Sequence, residues 1–229
     1  MFIGHFGLAM GAKKVNSQIS LGTLFMAFQF LDLVWPVMLL SGAEQVAIHP
    51  EYTGAIKLEF VHYPFTHSLL GASGWAIGFG GIYWLIKRNL KSAALLALGV
   101  VSHWFLDLIV HFPDLPLYPG ATVYFGLGGW ASTALTVTLE LILFVGGIAL
   151  YLKSVQIKNT TGKVLFWLLI GLLSLIEVSN LVGPPPSSVE VLAWSANLQW
   201  ILVALAYAVD YNTRTAGEKL HHEYGQSPR

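Results

Sequence analysis

His103, Asp107 and His111 recur every four residues in an otherwise apolar stretch. On a helix that spacing stacks all three on one face. An imidazole and a carboxylate on one face bring a nitrogen and an oxygen to one metal ion, a ligand pair that suits zinc or a similar divalent metal. Two more polar groups interrupt apolar sequence. Asp32 lies in Gln-Phe-Leu-Asp-Leu-Val-Trp-Pro, and His62 and His67 bracket Tyr-Pro-Phe-Thr ahead of Ser68. Pro64 and Thr66 read as a helix start with Thr66 as its cap. His67 then falls in the first turn, where the helix dipole disfavours imidazolium and leaves a neutral ligand. The free N–H groups there also offer a seat for an anion such as phosphate. The chain has no cysteine and eight histidines, so thiolate ligands are excluded and imidazole is the nitrogen ligand available.

Such residues need elements that hold them. Hydrophobic residues make up 55% of the 229 and charged residues 10%, against about 25% charged in a soluble domain. The deficit predicts a lipid-facing surface. Crossing a bilayer takes about 20 largely apolar residues, and six stretches qualify: 20–40, 66–86, 92–112, 130–152, 163–182 and 190–210. Gly183 and Pro184 to Pro186 separate the last two. The predicted fold is all-α, a polytopic membrane helix bundle of about six transmembrane helices. A short re-entrant or interfacial helix precedes them. Residues 1–210 form one transmembrane domain, with the motifs in 1–120, and 211–229 form a polar tail. The apolar stretch 1–10 precedes Lys13 and Lys14, the reverse of a cleavable signal. Lys13, Lys14, Lys87, Arg88, Lys91, Lys153, Lys158, Lys163, Arg214, Lys219 and Arg229 fall on one side of this scheme and Lys57 on the other. The positive-inside rule then puts both termini in the cytoplasm of a multi-pass membrane protein. Zero net charge gives no reason to expect nucleic acid.

At about 1.5 Å per helical residue, His103 and Asp32 lie roughly 18 Å from the cytoplasmic side and His5 roughly 12 Å. Asp107, His111 and His67 lie further out, so the set lines one cavity opening outward. Glu140 and Glu177 reach similar mid-depth and read as structural, bonded to neighbours such as Asn180. Trp35, Trp84, Trp130, Tyr118 and Tyr124 read as interfacial belts. Gly7 with Gly11 and Gly74 with Gly78 are small-xxx-small pairs that permit close helix approach. His49, His221 and His222 fall in loops or the tail, away from the set.

The order Gly4-His5, Leu31-Asp32-Leu-Val-Trp-Pro36, His62-Tyr-Pro-Phe-Thr-His67-Ser68 and Ser102-His103-xxx-Asp107 resembles bacterial inner-membrane proteins described as predicted metal-dependent hydrolases, the LexA-regulated family among them. More distantly, it is similar to zinc-dependent phospholipase C. The resemblance covers roughly the first 120 residues. It implies His5, Asp32, His67, His103 and Asp107 as metal ligands, with His62 and His111 as secondary additions. It also implies a divalent metal, zinc first, and hydrolysis of a phosphoester or lipid-linked substrate by a metal-activated water, with Asp32 or Asp107 as general base. Only Asp32 remains of the family's usual two aspartates and histidine, and Tyr63 replaces its arginine. The rival expectation is a transporter or proton conductor built on the same residues.

Overall fold

The computed structural model describes residues 1–215; Lys219, His221, His222 and Arg229 lie outside them. The fold is largely all-α. Its helices are α1 (Ile3–Ala12), α2 (Leu21–Phe28), α3 (Phe30–Leu40), α4 (Leu69–Lys87), α5 (Leu90–Val110), α6 (Thr133–Ser154), α7 (Thr160–Val182), α8 (Val189–Asn197) and α9 (Gln199–Tyr211). Short hydroxyl and amide side chains cap many of them. Ser20, Ser68, Asn89, Ser132, Asn159 and Ser188 each accept the backbone N–H three residues on, meeting donors a helix start leaves free. The cap of α4 is therefore Ser68, not Thr66. The helix begins only at Leu69 because the Thr66 hydroxyl is drawn away to Glu44.

Helices α4, α5, α6 and α7, and α8 with α9, are long and apolar enough to cross a membrane. The first expected span is not one straight helix. α2 and α3 are bent by 55° at Gln29, whose backbone leaves the helical region at φ −103°, ψ 8°. Further along, Pro36 brings no N–H to the Asp32 carbonyl and loosens α3.

α1 is about 15 Å long, half a span, and runs parallel to α6. The approach is very close: a Cβ on Gly7 would stand 2.4 Å from the Leu143 carbonyl oxygen, and one on Gly147 2.0 Å from that of Gly7. Gly11 faces the same helix, whereas nothing lies within 4 Å of Gly74 or Gly78. Of the two small-xxx-small pairs, only the first is used for packing. Glu140 completes the joint by accepting the backbone N–H groups of Phe2 (2.6 Å) and Gly4. Its partners are thus the first turn of α1, not a Ser or Asn neighbour.

One end of the bundle gathers the C-termini of α1, α6 and α9. There Lys13, buried, pairs with Asp210 at 2.7 Å. Beside it β5 (Val155–Ile157) pairs antiparallel with β6 (Thr213–Thr215), so the segment after Tyr211 starts as strand and not as free tail. The far end carries a hairpin, β1 (Gln45–Ile48) with β2 (Leu58–His62), and a second pair, β3 (Leu115–Pro116) with β4 (Tyr124–Phe125).

Because two backbones meet at Gly7 and Gly147, Gly147→Ala is expected to destabilise by about 1–3 kcal/mol through overpacking. Thermal unfolding in detergent checks this, with Gly74→Ala as the silent control; equal melting of both variants would refute the α1–α6 contact.

Candidate metal site

Six of the seven expected ligands meet in one cluster. Asp107 lies at its centre, 1% exposed, and its two oxygens face different partners. Oδ1 is 3.1 Å from His5 Nε2 and 2.7 Å from the Met1 amino nitrogen. Oδ2 faces Nε2 of His103 at 3.2 Å, of His67 at 3.7 Å and of His111 at 3.9 Å. Asp32 Oδ1 adds 3.4 Å to His67 and 3.6 Å to His103. The rings of His5 and His103 stack in parallel, 3.7 Å apart. His62 stands apart: it is exposed at the end of β2 and makes none of these contacts.

The outer ring nitrogens fix the tautomers. His103 Nδ1 lies 3.0 Å from the Phe28 carbonyl at the α2–α3 bend, and a carbonyl can only accept, so Nδ1 carries the proton. His67 Nδ1 meets the Thr66 hydroxyl at 2.7 Å. That hydroxyl gives its own proton to Glu44 Oε2 at 2.6 Å, so it too accepts from the ring. His111 Nδ1 meets Asp114 Oδ1 at 2.9 Å, and the same oxygen accepts the Tyr63 hydroxyl at 2.7 Å. Burial holds the Tyr63 phenol far above its ordinary pKa, so it remains a donor. All three imidazoles therefore turn Nε2 inward, where a neutral ring offers a lone pair. This is the arrangement in which an oxygen acceptor behind a histidine fixes its tautomer and orients it as a ligand.

Lone pairs aimed at carboxylate oxygens repel unless a cation or a proton lies between them. His103 Nε2 shows the deficit directly: it is fully buried and has no hydrogen-bond partner, although Asp107 Oδ2 is 3.2 Å away. Two sets of ligand atoms are each mutually within 4.8 Å, His5 with His103 and Asp107, and Asp32 with His67 and His103. Nitrogen and oxygen donors at this separation fit a divalent ion such as zinc.

Other expected features fall differently. The anion seat ahead of α4 is filled by the protein itself: Glu44 Oε1 takes the N–H groups of Phe65 and Thr66, both at 2.8 Å, and the Leu117 carbonyl takes that of Leu70. Trp35 and Trp130 are buried and not belt residues, unlike the exposed Trp84, Tyr118 and Tyr124. Trp130 packs on His111 with ring centroids 4.0 Å apart, and Trp35 meets His67 edge-on. Phe60 of β2 touches Trp35, Tyr63, His111 and Trp130. The cluster is thus covered by aromatic rings at its far end and does not open there. Asp32, its side chain 21% exposed, is the member of the six with accessible surface. Glu44 and Asp114 act as supports that the sequence reading did not assign. Gln29, polar inside an apolar stretch, marks the α2–α3 bend.

The model of the YdjM inner membrane protein family matches residues 7–182. The chain belongs to that family. Membership makes it a bacterial inner-membrane protein. No curated protein and no solved structure matches it. In this YdjM-family chain the matched segment includes Asp32, His67, His103, Asp107 and His111, and ends before α8 and α9.

On the roofing hairpin, His49 pairs both ring nitrogens, with Glu51 at 2.7 Å and Glu59 at 2.8 Å. Two such bonds suit imidazolium, and the hydrogen bond to Glu51 leads in raising the His49 pKa above 6.5. The charged pairing is present below that value as long as the glutamates stay ionised, and it is lost as pH rises through the raised one. An NMR titration should place the His49 midpoint above 6.5, and Glu51→Gln should lower it; a midpoint that ignores the substitution contradicts the pairing.

Proposed function

We propose that the chain is a membrane-embedded metal-dependent hydrolase acting on a phosphoester or lipid-linked substrate. The observation that carries the reading is the convergence of three tautomer-fixed imidazoles on two carboxylates, with His103 Nε2 left unsatisfied. A divalent ion there would supply Lewis-acid chemistry, acidifying water and polarising a phosphoryl or acyl oxygen. His103 would hold it, either with His5 and Asp107 or with Asp32 and His67, and His111 stands beside them. Asp107 has both oxygens occupied by close partners, whereas Asp32 is partly accessible and keeps Oδ1 at 3.4–3.6 Å from its histidines. Asp32 is therefore the group suited to take a proton from an attacking water. The aromatic roof limits water at the reacting centre and strengthens the electrostatics inside.

The rival, a conducting path, needs polar groups joining the site to the Lys13–Asp210 pair. Along α1 the stretch between them presents Phe6, Ala9 and Met10, each fully buried and apolar. That apolar face of α1 favours chemistry over passage.

Metal analysis of the purified protein tests the reading. Wild type is expected to hold at least one equivalent of divalent metal, and His103→Ala and Asp107→Ala to lose it. Wild type that arrives without metal and takes none up sinks the proposal. Separately, Glu44→Gln should weaken metal binding about 10- to 100-fold by freeing His67, read as a dissociation constant by competition with a chelator.

A further inference from the structure

Asp32 is held in place by a relay that begins in the last span. Gln29 is completely buried at the α2–α3 bend. Its Nε2 lies 2.9 Å from Asp32 Oδ2 and 2.8 Å from Gln199 Oε1. A carboxylate only accepts, so the Gln29 amide must turn its NH2 toward Asp32. Its second N–H then points at Gln199, whose oxygen has to be the acceptor. Both protons of the Gln29 amide are used, and its own Oε1 is left buried without a partner. Gln199 opens α9 directly after Leu198, the one residue that separates it from α8. Two interrupted helices thus meet at their interruptions, each offering a glutamine.

We propose that Gln199 and Gln29 are positioning residues that keep Asp32 turned with Oδ1 toward His67 and His103, and that through them the last span sets the divalent-cation affinity of the site. The inference rests on the metal reading above. With Oδ2 tied to Gln29, only Oδ1 remains for the cluster. Without Gln199, the Gln29 amide loses one of its two acceptors and is free to swing its unsatisfied oxygen toward Asp32, where it would repel the carboxylate. Gln199 lies beyond the segment matched by the family, so this support comes from a part of the chain that the family resemblance does not describe.

The experiment is a double-mutant cycle on the full-length protein in detergent, using Gln29→Met, Gln199→Met and both together, a near volume-conserving change. The probe is zinc, titrated against a chelator. Each single variant should weaken zinc binding about tenfold or more, and the double variant should be little worse than either, because the relay acts as one unit. A Gln199→Met protein that binds zinc like wild type overturns the proposal, and so do effects that simply add. A second readout needs no metal: the carboxylate stretching band of Asp32 in the infrared, identified by its loss in Asp32→Asn. It should shift in Gln199→Met, and an unmoved band overturns the relay. Failure of wild type to bind zinc would instead defeat the metal reading, and it is read on wild type alone.

Discussion

Asp107 is a carboxylate with both oxygens turned away from water in the middle of an apolar bundle. Moving such a charge out of water costs several kcal/mol even after the surroundings relax. That cost is offset only by groups that reach it, and those groups come from separate elements. His5 arrives on α1, His67 on the turn before α4, and His103 and His111 on the helix of Asp107 itself and just past its end. Each carrier is then fixed in turn. Glu140 on α6 and the glycine contact seat α1; Glu44 seats the turn before α4; the Phe28 carbonyl orients His103. The arrangement of α1, α4, α5 and α6 follows from what one carboxylate requires.

The same logic explains the two ends. At the end where α1, α6 and α9 finish, an ion pair, Lys13 with Asp210, ties α1 to α9 beneath the apolar Phe6, Ala9 and Met10 of α1. At the far end aromatic rings cover the cluster, beside the Asp114 carboxylate that holds His111. Phe60, Tyr63 and Trp130 do so with flat faces that pack on imidazole. Aromatic cover excludes water without offering competing ligands.

Much of the cluster was legible in the sequence because a helix converts spacing into direction. The four-residue rhythm of His103, Asp107 and His111 sufficed for one helix, and the cost of burying Asp32 and His67 in apolar surroundings pointed to a shared purpose. What the sequence hid was the support of these residues by partners distant along the chain. Glu44 supports His67 through Thr66 across 22 residues, with no local pattern to announce it. The bend at Gln29 escaped because hydropathy sums along a stretch and does not register where a helix stops. Trp35 and Trp130 were misassigned because an indole suits both a membrane interface and a roof over histidines. The partners of Glu140, Gly4 and Phe2, lie 136 and 138 residues away at the start of α1.

The bend at Gln29 also has a consequence in time. α2 and α3 hold 8 and 11 residues, about 12 and 16 Å of helix, and neither alone matches a hydrocarbon layer of about 30 Å. The amide between them waits for Gln199, 170 residues later. At a synthesis rate of about 5–20 residues per second, that wait lasts roughly ten to thirty seconds. Through that interval the nascent first span carries an unanswered amide inside the membrane. The surroundings of Asp32, in the first half of the chain, are therefore complete only once α9 has been made.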